Sequence, residues 1–174
     1  DQTLSGTIAD TPTTAMFGPV SILGHPTSPN SASVALIGDS MLFGNGDSPL
    51  SSDYVGRAFG ERALNQTIPW VNVALAGDRA ESFATSTETS NMRLTIAYPC
   101  KYALLHLGSN DIRGGSDDFE TVKARLEATW LRLVRSGMQV FQCTLSPMTT
   151  STDDWATTAN QTPEAQESVR LELN

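Results

Sequence analysis

Four short apolar runs, each stopped by a loop rich in Gly, Ser, Asn, Asp or Pro, constrain this chain more than any other feature. Val34-Ala35-Leu36-Ile37 ends at Gly38, and similar runs extend from Trp70 to Leu75, Tyr102 to Leu107 and Met138 to Leu145. A run that is apolar at successive positions, rather than alternate ones, is the pattern of a strand buried on both faces. Helical spacing lies between the runs. It is clearest from Asp117 to Ser136, where Phe119, Val122, Leu126, Trp130 and Leu133 form one stripe and Gly137 supplies the stop. Segments 50–65 and 79–97 also read as helices, the first through Tyr54, Val55, Ala58, Phe59 and Leu64. This alternation predicts an α/β domain with a parallel sheet and right-handed crossovers.

The flanks are less regular. Residues 1–31 are rich in Thr, Ser, Pro and Gly and read as an extended lead-in, with at most one strand in the apolar stretch from Met16 to Leu23. The domain itself is assigned to 32–174. After Pro147 a polar loop is expected from Thr149 to Thr162, followed by a helix that opens at Pro163-Glu164 with Thr162 as N-cap and runs to Asn174. An α/β sheet rarely ends on a partial helix, so the remainder of the domain is expected beyond residue 174 or on another chain.

A chain of 174 residues buries about 68–70% of its unfolded surface and needs no disulfide scaffold to fold. Cys100 opens one apolar run and Cys143 closes another, which places them at opposite ends of neighbouring parallel strands and disfavours a bridge. A net charge of −8 with scattered basic residues argues against a nucleic-acid partner. No apolar run reaches the length of a membrane span, and residues 1–15 lack the basic start and apolar core of a signal peptide. Asp1 fits a mature terminus after signal removal, as in a secreted or periplasmic protein, a cloning boundary, or a start inside a longer protein. The compartment stays open.

In an open parallel sheet, ligands bind outside the carboxyl ends of the strands. The segments that follow the four runs are Gly38-Asp39-Ser40-Met41, Ala76-Gly77-Asp78-Arg79, Gly108-Ser109-Asn110-Asp111 and Ser146-Pro147. Ser40, between a strand and a helix, is a candidate nucleophile. The backbone N–H groups of Ser40 and Gly77 and the side-chain amide of Asn110 are candidate donors to a developing oxyanion. Asp39, Asp78 and Asp111 read as helix caps or turn formers rather than a metal cluster, and no metal or other cofactor is called for. Arg79 and Arg113 flank the same edge and read either as contacts for an anionic or carbohydrate oxygen or, by preference, as solvated surface cations. Trp155, in the polar loop, reads either as a sugar-stacking platform or as a loop anchor. Gly38 to Gly46 lacks the lysine and spacing of a phosphate loop.

Taken together, the three loops resemble the SGNH hydrolases, also called the GDSL esterase/lipase family. Gly38-Asp39-Ser40 matches the first block, with Met41 in place of the usual leucine, Gly77 the second, and Gly108-Ser109-Asn110-Asp111 the third. The resemblance covers roughly residues 33–147. It implies a flavodoxin-like three-layer α/β/α sandwich and ester hydrolysis through an acyl-enzyme, with Ser40 as nucleophile and Ser40, Gly77 and Asn110 as the oxyanion hole. The family's fourth block, Asp-x-x-His, which supplies the general base and its acid partner, is absent from this sequence. The two histidines do not replace it: His25, in a Gly-His-Pro loop, reads as an exposed loop residue and His106 as a hydrogen-bonded sheet histidine. The expected activity is therefore hydrolysis of short-chain or carbohydrate acyl esters, with the base supplied by a C-terminal fragment that completes the domain. The alternative is a non-catalytic carbohydrate- or partner-binding module.

Overall fold

The structure is a computed structural model that describes residues 22–24, 27–28, 31–45, 59–64 and 67–174. His25, most of the lead-in, and Tyr54, Val55 and Ala58 of the proposed 50–65 helix lie outside the described residues. Four strands form the central sheet: β1 (Val34–Gly38), β2 (Trp70–Asn72), β3 (Tyr102–His106) and β4 (Gln139–Gln142). All neighbouring pairs are parallel and their order is β2-β1-β3-β4. The chain thus leaves β1 to one side and then crosses to the other. The point of reversal falls between β1 and β3, where an open α/β sheet forms its ligand crevice.

Side-chain alternation along the strands makes the layers. Ala35, Ile37, Ala103 and Leu105 enter one core with Phe83, Leu94, Ile112, Val122, Leu126 and Leu133. Val34, Leu36 and Leu104 face the other way, onto Leu42, Phe43, Leu64 and Trp70. Helices therefore cover both faces, as the continuous apolar runs require. The longest is α5 (Phe119–Arg135), capped where Asp118 accepts from Thr121 N at 2.9 Å. It buries Val122, Leu126, Thr129 and Leu133, a stripe rotated slightly from the predicted one, because Phe119 and Trp130 reach only the margin. Each buried Leu or Val contributes about 1.5–3 kcal/mol of transfer free energy.

Three predicted elements change shape. The 79–97 segment is two helices, α2 (Ala80–Ala84) and α3 (Glu88–Ala97). The break holds Ser86 at φ +56°, and Thr87 caps α3 by accepting from Ser90 N. The part of 50–65 that is described carries a π-helical turn, Gly60–Leu64, whose Gly60 lies against the Trp70 ring. The expected polar loop 149–162 contains a hairpin. Strands β5 (Thr149–Ser151) and β6 (Gln161–Pro163) pair antiparallel, with Thr150 opposite Thr162. Thr162 is consequently a strand residue and not an N-cap. The terminal helix, α6 (Glu167–Leu173), begins four residues after Pro163, because Glu164 N donates to Met148 O and closes the hairpin instead. Cys100 and Cys143 are both free and half-buried.

The hairpin loop is organised by Asp153. Its carboxylate accepts from Ser151 Oγ at 2.8 Å, Thr157 Oγ1 at 2.7 Å and Asn160 Nδ2 at 3.0 Å. These donors favour the charged form and hold the carboxyl at about 2, below the ordinary 3.8. A carboxylate depressed in the folded state stabilises it above the unfolded-state value and ceases to do so as pH falls through the folded one. Asp153→Asn should therefore melt below the parent chain at neutral pH. Thermal scans by circular dichroism from pH 6 down to pH 2 should show that gap closing below about pH 4.

Candidate active site

Backbone pairing sets three loops at one level. Gly38 lies opposite His106 in the β1–β3 register, Asp39 N donates to His106 O at 3.2 Å, and Leu75 N donates to Gly38 O at 2.9 Å. Ser40, Gly77 and Gly108 each follow this level by two residues, from the carboxyl ends of adjacent strands. A side chain on residue 38 is excluded, because a Cβ there would stand 2.7 Å from the backbone oxygen of His106.

The first loop carries Ser40 as the opening residue of a short helix, α1 (Ser40–Phe43), closed by Gly44 in the left-handed region. Asp39 is buried, and its Oδ1 accepts from Met41 N at 3.0 Å while lying 3.1 Å from His106 Nδ1. The aspartate beside the candidate nucleophile is thus tied to the sheet on one side and to the α1 backbone on the other. His106 serves as the sheet histidine the sequence suggests. The second loop turns at Gly77, whose φ of +81° opens onto free space, so its backbone is bare to an approaching ligand.

The third loop locks the second. Helix α4 (Ser109–Gly115) starts at Gly108, φ +115°, and the Asn110 amide donates to Asp78 O at 2.9 Å. Asp111, fully buried, accepts from Ala80 N at 2.8 Å and Glu81 N at 3.1 Å, capping α2 across a separation of some thirty residues. Arg125 of α5 reaches Asp111, Asp117 and Glu81. This clamp is the part of the site that sequence reasoning missed. The Asp of Gly-x-Asn-Asp was legible as a cap, but not the helix that it caps. Burial pushes the Asp111 carboxyl above its ordinary range, against the opposing effect of its two N–H donors and Arg125. Burial likewise raises Asp78, against the pull of Arg93 at 2.7 Å, an ion pair outside hydrogen-bond alignment.

The other candidates stand apart. Asp39, Asp78 and Asp111 turn to separate partners instead of converging, and among the described residues no cluster suited to a metal ion forms. Arg113 is not a free cation: it makes a two-pronged pair with Glu164 at 3.0 and 2.8 Å, tying α4 to the base of the hairpin. Arg79 lies 3.8 Å from Glu81 and stays partly exposed. Met41 and Leu75, 60% and 43% exposed, are large apolar side chains next to the first and second loops. Among the described residues no helix is long and apolar enough to cross a membrane.

Comparison with known proteins supplies context for this geometry. The model of the GDSL-like lipase/acylhydrolase family matches residues 36–172. A GDSL-like lipase from Bacteroides thetaiotaomicron superposes with a TM-score of 0.55 at 12% identity, over 87% of this chain and 64% of that one. The acetyl xylan esterase AlAXEase gives 0.51 at 13% identity, over 80% and 67%. A Bacillus subtilis protein gives 0.53 at 17% identity, over 82% and 40%. At such identities the likeness is one of fold. The present chain spans 40–67% of the length of solved chains that it resembles. Comparison with curated proteins finds no match.

Two substitutions probe this framework. Gly38→Ala forces β1 and β3 apart and should destabilise the fold by about 1–3 kcal/mol, read from urea midpoints. Asp111→Ala orphans the buried Ala80 N–H and the half-buried Glu81 N–H while Arg125 keeps its other carboxylates, and should lose roughly 2–3 kcal/mol in the same assay.

Proposed function

Because the chain belongs to the GDSL-like lipase/acylhydrolase family, we propose that it is the Ser40-bearing part of a serine ester hydrolase that works through an acyl-enzyme. The observation that supports this reading is that the loops bearing Ser40, Gly77 and Asn110 leave adjacent strands from one level, that of Gly38, Leu75 and His106. Ser40 Oγ attacks the acyl carbonyl, and the oxyanion that forms accepts from the backbone N–H groups of Ser40 and Gly77 and from Asn110. One N–H of the Asn110 amide is engaged by Asp78 O. A primary amide carries two, so the same bond that fixes the side chain leaves a donor for the substrate.

A serine hydroxyl is a weak nucleophile without a base. The sequence holds no Asp-x-x-His motif, and the base and its orienting acid are assigned to a segment outside these 174 residues. That histidine takes the Ser40 proton, returns it to the departing alcohol as the tetrahedral intermediate collapses, and then activates water to release the acid. No cofactor enters the scheme. The substrate class is a short acyl group on a carbohydrate or other small alcohol. Met41 and Leu75 offer a small apolar margin suited to a short acyl group. Asp39, held by His106, orients the α1 backbone and takes no part in proton transfer.

The test joins activity to labelling. The protein carrying the completing segment should hydrolyse p-nitrophenyl acetate and take up one fluorophosphonate on Ser40, identified by peptide mass. Ser40→Ala should abolish labelling and lower kcat/KM by about 10³–10⁴ or more. The 174-residue chain alone should be nearly inert as an esterase. A folded, complete protein that neither labels nor hydrolyses any ester would leave a binding module as the answer.

A further inference from the structure

The β5–β6 hairpin presents one large aromatic side chain to solvent, and the structure holds it there at a conformational cost. Trp155 is 58% exposed in a loop otherwise built of Ser, Thr, Asp, Asn, Gln and Ala. Both Asp154 and Trp155 occupy the left-handed region, at φ +52° and +61°, which is unfavourable for a bulky residue. One bond fixes the backbone in this setting and one the side chain. Ser151 Oγ accepts from Trp155 N at 2.8 Å, and the indole Nε1–H donates to Thr149 Oγ1 at 3.0 Å. The indole is therefore satisfied at its polar edge and fixed in direction, while much of its surface remains in water.

The hairpin is also braced against the candidate active site. Gly108 approaches the Leu145 side chain, so the segment leaving β4 borders the third loop. Met148, at the foot of β5, is buried, and its N–H donates to Glu167. Arg113, on the helix that carries Asn110, grips Glu164 just after β6. The platform and the candidate oxyanion donor thus belong to one braced unit.

We propose that this hairpin is a sugar-binding subsite, in which the Trp155 ring stacks on a neutral pyranose of the alcohol part of the substrate. The assignment rests on the ester hydrolase reading for its link to catalysis. The size of the feature is that of one ring, too small for a protein interface. On the hairpin face that carries the indole lie the hydroxyls of Thr149 and Ser151 and the amide of Gln161, which match a sugar rim better than an acyl chain. Asp153 and Asp154 beside it oppose an anionic ligand.

The experiment compares the complete protein with its Trp155→Ala and Trp155→Phe variants. Calorimetric titration with xylohexaose, cellohexaose and mannohexaose measures binding, and kcat/KM is measured on the acetylated hexaoses and on p-nitrophenyl acetate. We expect at least one hexaose to bind and Trp155→Ala to weaken it about tenfold or more, as loss of a stacked aromatic does. On the corresponding acetylated hexaose, kcat/KM should fall by a similar factor, through KM, with p-nitrophenyl acetate unchanged. Trp155→Phe should retain part of the affinity. Binding of none of the three sugars, or binding and glycan-ester turnover indifferent to Trp155→Ala, overturns the subsite even if p-nitrophenyl acetate is hydrolysed. Sugar binding that depends on Trp155 in a protein inert towards every ester would uphold the subsite and sink the hydrolase reading instead.

Discussion

The close approach of β1 and β3 at Gly38 is the constraint on which the rest of the molecule depends. No Cβ fits between Gly38 and the His106 carbonyl, so the two strands run together to their last paired residues. Asp39 N then reaches His106 O, and the Asp39 carboxylate reaches His106 Nδ1. Because β1 lies between β2 and β3, the same glycine offers its carbonyl to Leu75 on the other side. One small residue therefore fixes the level at which β1 and β3 end and at which the segment after β2 is last tied to the sheet. Everything beyond that level is loop, and the loops inherit their mutual placement from it.

Inheritance alone would leave the loops soft, since segments past a strand end have few backbone partners of their own. The third loop answers this with polar side chains. Asn110 holds the Asp78 carbonyl, and Asp111 caps α2 from a distance. Burying a carboxylate in this way is expensive, and a well-packed apolar group of similar volume would often stabilise as much or more. What the charge supplies is direction: two N–H groups and a guanidinium converge on Asp111, so α2 has one way to sit. That fixes where Gly77 turns.

This division explains what the sequence made legible. The four strands were readable because burial on both faces leaves a continuous apolar run, and α5 because its stripe is long and stopped by Gly137. The candidate site was readable as three loops because each followed a run. Contacts between loops were not readable. Nothing local distinguishes Asp111 as the cap of a helix thirty residues earlier, or Arg113 as the partner of Glu164 rather than of solvent. The hairpin escaped for a different reason. Its strands are three residues each and made of Thr, Ser, Gln and Pro, so they leave no apolar alternation to read. Pro163 looked like a helix start because its fixed φ suits one, yet antiparallel pairing with Thr149 claimed it first. Tertiary hydrogen bonds decided both outcomes.

The two polar networks also respond to acid in opposite senses, which separates framework from rim. Asp78 and Asp111 are raised by burial, so each is a burden on the fold when ionised and a lesser one when protonated. Their contribution is fully present below the unfolded-state value and is lost as pH rises through the folded one. Asp153 is the reverse, a half-buried carboxylate at the rim held down by three donors, whose contribution is lost as pH falls towards about 2. Acid therefore relieves the buried carboxylates beneath the strand ends while it loosens the loop that carries Trp155. The framework tolerates protonation because its carboxylates sit where water does not. The rim depends on charge because its loop has almost no apolar contact to hold it, and the Asp153 hydrogen bonds take the place of a core.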